Sequence, residues 1–319
     1  MIAPKYSFCT LFDRNYASRG LALYHSLRRH CGGDFQLTVL CMDEDVRTAL
    51  SALDLPQVRL WQVEDIGDKE LLALHGVRPM REFCWTCPGP LMLALLAEGG
   101  AGSVVSYLDA DLAFFSDIRP VYDELGDKDI LIHGHNFAPS YAFHEKLSGT
   151  FNVGVIAVRN SDQGLACLSR WRSQNIEMCV LDLEQGYCGD QKYLDEWPSL
   201  YPGLMILRHV GGGVAPWNMD AHTVTERNGQ VMIDDAPLIF FHYHALRVVL
   251  GGLWPRWGAI PSIGYDANRA VRRLIYQPYI CALRRAHRDL ARVGLRPSSL
   301  KMPWRQLPGF IRRSQFVIG

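Results

Sequence analysis

The first apolar run, Tyr6-Ser7-Phe8-Cys9-Thr10-Leu11, reads as a β-strand, and the polar turn Asp13-Arg14-Asn15 ends it. From Ala17 to Arg29, Leu21, Leu23, Tyr24 and Leu27 recur at near-helical spacing before Cys31-Gly32-Gly33 stops the helix. Phe35 to Cys41 is a second strand, and Val58 to Val63 a third. Between them Asp43-Glu44-Asp45 opens a helix over Val46 to Leu53, since acids suit a helix N-terminus. This β-α-β-α-β order predicts an α/β fold, a mostly parallel sheet flanked by helices.

Leu91 to Glu98 is a compact apolar helix stopped by Gly99-Gly100. Val104 to Leu108 reads as a strand buried on both faces, and it runs directly into Asp109-Ala110-Asp111. Ile130-Leu131-Ile132 and Gly154 to Val158 are further strands, and residues 137–150 read as a loop rich in aromatic and His residues. Gln163 to Gln174 and Gly189 to Glu196 read as helices. Pro237 to Tyr243 is a late apolar strand leading to His242-Tyr243-His244. No internal repeat or low-complexity linker interrupts this order.

Nearly half of the 319 residues are apolar, enough for a sizeable core. The opening Met1 to Tyr6 lacks a charged region followed by a long apolar run, so no signal peptide is expected. No stretch of about 18 apolar residues suggests a spanning helix. Nine scattered cysteines fit a reducing, cytoplasmic compartment better than a disulfide framework. Cys84-Trp85-Thr86-Cys87 has CxxC spacing but lacks a second ligand pair, and reads as ordinary thiols. Net charge is zero but uneven: from Arg269 onward twelve basic residues face one acid, Asp289. A division follows into residues 1–265 and a basic, mainly helical segment, 266–319.

Two carboxylates spaced by one residue at a strand end reach the same point beyond the sheet, where ligands of open α/β sheets bind. Asp109 and Asp111 have that spacing, and their hard oxygens suit Mg²⁺ or Mn²⁺. Alone, such a pair more often only caps the next turn.

Tyr107-Leu108-Asp109-Ala110-Asp111-Leu112, with Ser116-Asp117-Ile118 after it, resembles the DxD region of GT-A glycosyltransferases, more narrowly the family-8-type enzymes. These include bacterial lipopolysaccharide sugar transferases and glycogenins. Thr10-Leu11-Phe12-Asp13-Arg14-Asn15-Tyr16-Ala17 resembles the family's first strand and nucleotide-binding turn. Phe151-Asn152-Val153-Gly154 resembles its FNxG segment, Gly189-Asp190-Gln191 its DQ element, and Phe241-His242 its late metal-binding His. The matches cover roughly residues 6–250 in family order.

The resemblance implies a GT-A fold and transfer, with retention, of a sugar from a nucleotide sugar, expected to be a UDP-sugar, to a glycan or lipid-linked glycan. Asp109, Asp111 and His242 would hold Mn²⁺ or Mg²⁺; Thr10, Asn15 and Tyr16 would contact the nucleotide; Asn152, Asp190 and Gln191 would lie by the donor sugar. His244 is the alternative metal ligand, and Asn152 alternatively bonds the backbone. Arg81 either neutralises the diphosphate or is solvated, and Gly211-Gly212-Gly213 either approach a phosphate or form a mobile loop. Trp217 is an acceptor platform or a core residue, while His133, His135, His144 and His209 are surface or hydrogen-bonding groups. The segments Arg81 to Pro88 and Gly211 to Asn218 have no clear match among well-known members.

Apolar residues interleave with the tail's arginines, which suits either peripheral docking on an anionic inner membrane face or a solvated helix. Nucleic acid is not expected, since no recognised binding motif accompanies the charge. The rival functions are an inactive GT-A-like scaffold and a sugar nucleotidyltransferase, the latter disfavoured because Phe12-Asp13-Arg14-Asn15 replaces the Gly-rich basic loop of that class.

Overall fold

Tyr6, Phe8 and Phe12 point to one face of the first strand, β1 (Tyr6–Phe12), and Cys9 and Leu11 to the other. The alternation is apolar on both sides, so β1 needs cover on both sides. The helices α1 (Ala17–His30) and α2 (Glu44–Leu53) pack on the first face, with β2 (Phe35–Cys41) and β3 (Val58–Trp61) beside β1. Asp43 caps α2 by accepting from the Val46 N–H at 2.8 Å. The structure is a computed structural model that describes residues 5–251, 254–259, 267–296 and 316–318.

On the second face lie α3 (Met80–Thr86) and α4 (Pro88–Gly99). The chain then returns through the sheet as β4 (Val104–Leu108), turns at Asp109 to Asp111, and makes the short β5 (Leu112–Phe114). The strands β6 (Ile130–Gly134) and β7 (Phe151–Arg159) follow, then the second-face helix α5 (Asp162–Glu177), β8 (Leu204–Ile206) and β9 (Phe240–His242). Seven strands form the central sheet in the order β8-β6-β7-β4-β1-β2-β3. All neighbours run parallel except β7, which is antiparallel to both β4 and β6. The observed fold is therefore the expected α/β class with a mostly parallel sheet.

Two features position the site. Because β7 runs against its neighbours, its first residues lie at the sheet edge where β4 ends. Meanwhile β9 pairs antiparallel with β5 outside the main sheet, setting His242 opposite Leu112. The expected late strand is thus shorter than read and belongs to a two-stranded ribbon.

Residues 137–150, read as loop, contain a 3₁₀ helix (Pro139–His144) and a helical turn (Glu145–Ser148). The helix expected from Gly189 is a 3₁₀ turn, Lys192–Glu196, continued by Trp197–Leu200. In the basic C-terminal segment, α6 (Gln277–Arg292) packs on α1 and buries Tyr279, Ile280, Leu283, Ala286, His287 and Leu290. Lys301, Trp304, Arg305, Phe310, Ile311, Arg312 and Arg313 of the expected tail lie outside the described residues. Among the described residues, no helix is long and apolar enough to cross a membrane.

Candidate metal and nucleotide site

The turn after β4 is held by backbone bonds: the Asp109 N–H donates to Gly154 O at 2.9 Å, and Leu112 N–H to Asp109 O at 3.2 Å. The Tyr243 N–H donates to Asp111 O at 3.0 Å, tying the turn to the end of β9. These bonds leave both carboxylates aimed at one imidazole. His242 Nε2 lies 3.2 Å from Asp111 Oδ1 and 3.6 Å from Asp109 Oδ2. One ligand atom from each of the three residues falls within 4.8 Å of the others. Tyr107 fixes Asp109 further by donating to its Oδ1 at 3.0 Å.

The far side of His242 decides what its Nε2 offers. Asn152 Oδ1 accepts from the Gly154 N–H at 2.9 Å, which sets the orientation of that amide. The same oxygen lies 3.1 Å from His242 Nδ1, so Nδ1 carries the hydrogen. A neutral His242 therefore presents its Nε2 lone pair to two carboxylates. Three electron-pair donors facing one another demand a proton or a metal cation between them. The donor set, two carboxylate oxygens and one imidazole that the Asn152 amide holds in place, fits a divalent metal ion.

Asn152 extends the network, since its Nδ2 lies 3.3 Å from both His135 Nε2 and Gln191 Oε1. His135 Nδ1 lies 3.0 Å from Gly149 O, and Gln191 Nε2 donates to Ser148 O at the same distance. Asn152 is thus the hub between the metal ligands and the Asp190–Gln191 segment. Of the two readings of His135, surface or hydrogen-bonding group, the structure shows the second: it is 3 % exposed and holds Asn152 from inside.

Burial works against charge throughout the site. For Asp111 it is outweighed by the charge and hydrogen bond of His242, with help from His244 and Arg19, which bring the carboxyl to about 2. Burial raises Asp109, with Asp111 repelling its charge and His242 only partly compensating. Burial alone would lower His242, but Asp111 and then Asp109 raise it above the ordinary imidazole value. Asp190 is buried and pushed well up, first by desolvation and then by the Asp109 charge. His133 and His135 are pushed down by burial, to about 4 and about 3.

The other expected residues divide. Tyr16 is exposed at the mouth, with the Arg19 guanidinium 4.5 Å from its ring centroid. Asn15 lies beside it on the surface, its amide donating to Asp13 Oδ2. Thr10 is fully buried within β1, and its hydroxyl has no hydrogen-bond partner. Arg81 is exposed and stacks over Trp85, whose ring packs against Gly189. His244 is exposed next to Trp217 and outside the three-residue cluster. Trp217 is buried, its Nε1–H donating to His135 O at 2.8 Å.

Gly211 and Gly212 are buried, and their N–H groups already donate, to His209 Nδ1 and His209 O. A Cβ at Gly211 would stand 1.9 Å from Pro237 O, so close packing accounts for that glycine. The CxxC cysteines are free thiols, Cys84 half-buried and Cys87 buried, both raised by desolvation.

No known family model matches the chain. In fold it overlaps the galactosyltransferase LgtC, solved with donor and acceptor sugar analogs, at TM-score 0.45 and 18% identity, covering 95% of this chain and 99% of that one. Mouse xyloside xylosyltransferase 1 overlaps at TM-score 0.46 and 14% identity (75% and 98%). The glycosyltransferase GlyE of Streptococcus pneumoniae TIGR4 overlaps at 0.47 and 17% (94% and 66%). The chain is also 28% identical over 282 residues to the uncharacterized protein YfnD of Bacillus subtilis (strain 168), covering 88% of this chain and 89% of that protein. With the uncharacterized protein YfnF of the same strain, identity reaches 30% over 250 residues, 76% of this chain and 82% of that protein. At that identity and coverage, the chain belongs to the family of YfnF.

Proposed function

We propose that the protein is a metal-dependent glycosyltransferase that takes a sugar from a nucleotide-diphosphate sugar, by resemblance a UDP-sugar. The observation that carries this reading is the tautomer-locked His242 facing Asp109 and Asp111 at the carboxyl edge of the sheet. Asp109, Asp111 and His242 would hold Mn²⁺ or Mg²⁺, which when bound would neutralise the diphosphate and stabilise its departure. Asn152 keeps the His242 lone pair directed at the carboxylates and connects it to Gln191. Buried Asp190 and Gln191 would flank the sugar's anomeric carbon, with Tyr16 and Asn15 at the mouth for the nucleotide.

The bond from the anomeric carbon to the diphosphate oxygen breaks as a bond to the acceptor oxygen forms. The acceptor attacks from the face that the diphosphate leaves, which gives retention, and its proton passes to the departing phosphate oxygen, so no separate protein base is needed. A glycan or lipid-linked glycan, including a lipopolysaccharide, is the acceptor class that the resemblance supports. Arg285, Arg288 and Arg292 on the exposed face of α6, with Arg28 and Arg29 at the end of α1, suit an anionic surface such as the inner membrane face. That would make it a cytoplasmic, peripheral enzyme.

The test is calorimetric titration of UDP, GDP and CMP in Mn²⁺ and again in EDTA. Binding of UDP alone, abolished by EDTA, is the expected result. Failure of every nucleotide to bind would leave a scaffold protein.

A further inference from the structure

Tyr279 belongs to α6, in the segment read from sequence only as a basic surface. Its ring lies flat on that of Tyr243, the centroids 3.6 Å apart and the planes 6° from parallel. Tyr243 in turn donates its N–H to the Asp111 carbonyl at 3.0 Å, so the stack is fastened to the turn that carries the metal ligands. The two phenols differ in one respect. Tyr243 Oη donates to Ile275 O at 2.8 Å, whereas the Tyr279 hydroxyl has no hydrogen-bond partner among the described residues although the residue is only 2 % exposed. Buried polar atoms are nearly always paired, and one left unpaired calls for an explanation.

The surroundings supply it. The Arg19 guanidinium sits over the Tyr16 ring, 4.5 Å from its centroid, and its Nη2 donates to Leu246 O at 2.7 Å. That bond anchors the cation between α1 and the chain following β9. The charges of Arg19 and Asp111 both bear on the Tyr279 hydroxyl, as does Tyr16, and Tyr16 itself feels Asp111, Arg19 and Asp109. Arg19, Tyr16, Tyr279 and the metal-binding turn therefore share one corner. A phenol O–H with no acceptor among the described residues, within the field of Arg19 and stacked on the residue that bonds the metal-binding turn, is matched by a negatively charged oxygen. A nucleoside alone would not bring that charge; a diphosphate would.

The geometry points to Tyr279 as a donor-binding residue, its hydroxyl giving a hydrogen bond to a phosphate oxygen of the nucleotide diphosphate. The helix α6 thereby completes the pocket that the sheet begins. This rests on the metal-dependent transferase reading above.

The test uses the full chain and Tyr279→Phe, which keeps the ring stack and removes one oxygen. UDP, GDP, uridine and guanosine are titrated calorimetrically in Mn²⁺, with Mn²⁺ alone and Tm measured alongside. The expected result is roughly tenfold weaker binding of the diphosphate that the wild type prefers, as for a lost hydrogen bond to a charged group. Mn²⁺ affinity should hold, and Tm should hold or rise slightly. Equal diphosphate affinity in the two proteins would overturn the role of Tyr279 while leaving the transferase reading intact. An equal loss for the phosphate-free nucleoside would overturn the phosphate assignment. A wild type that binds neither diphosphate would remove both.

Discussion

The Asp109–Asp111–His242 corner, with Asp109 half-buried, and the buried Gly211–Gly213 loop both include or rest against an imidazole, and both carry sequence patterns that suggest phosphate chemistry. Their polar atoms are arranged in opposite ways. In the corner, the Asp109 and Asp111 carboxylates converge on the His242 Nε2, at 3.6 and 3.2 Å. In the loop, the Gly211 and Gly212 N–H groups are satisfied by His209, and Gly213 takes φ +80° so that the chain can pass the His133 ring. A ligand site is recognised by polar atoms that the fold aims and leaves unmet; a glycine run whose N–H groups are met is packing. That difference can be broken or sharpened by three substitutions.

The largest effect belongs to the corner. Asp111→Asn keeps shape but removes a hard anionic ligand, and should weaken Mn²⁺ binding about a hundredfold or more, since losing a group that merely orients a ligand already costs roughly 10–100-fold. Turnover should fall at least as far, with circular dichroism and Tm near wild type; full activity would sink the metal assignment. In the loop, Gly211→Ala should do the reverse. Its methyl would meet the Pro237 carbonyl oxygen and carbon, backbone atoms with little room to move, at 1.9 and 2.9 Å. A loss of about 1–3 kcal/mol is expected, seen as a Tm lower by several degrees (about 2–4 °C per kcal/mol). Mn²⁺ affinity of the folded fraction should stay within about twofold; a large loss there would return the glycines to the ligand site.

The smallest effect tests the corner's cost. Burial and then Asp109 raise the Asp190 carboxyl, so between its unfolded and folded pKa the native state keeps a proton that the unfolded chain has released. Stability therefore falls as pH rises through that window. Asp190→Asn escapes the penalty, so the metal-free variant should match wild type near pH 4 and melt a few degrees higher at pH 7, while turnover drops. A variant no more stable at pH 7 than at pH 4, relative to wild type, would show that Asp190 carries no such strain.

How much of this was legible follows from the range over which each signal acts. The strands β1, β2 and β4 could be read because apolar residues on both faces leave unbroken runs, and Asp109 and Asp111 because they follow such a run directly. The helix α3 was missed: its CxxC drew attention to thiol chemistry, while Phe83 and Thr86 bury its inner face. The antiparallel direction of β7 left no local mark. Nor did the role of Asn152, whose partners His242 and Gln191 lie 90 and 39 residues away. The glycine run left two readings open because freedom from a Cβ serves a close neighbour and a bound anion equally well. Tyr279 was passed over since nothing in its own segment hints that its ring reaches the Asp111 turn.

The pairing of β9 with β5 carries a consequence for how the chain matures. His242 and Asp111 are about 130 residues apart, and they meet only when that two-stranded ribbon zips, His242 against Leu112. That contact closes a loop of about 130 residues, at an entropy cost that local contacts do not repay. A complete three-ligand centre therefore cannot exist in a half-assembled molecule. During refolding, the appearance of tight Mn²⁺ binding would report the closing of that ribbon, and excess Mn²⁺ would trap molecules in which it has closed without hastening the others.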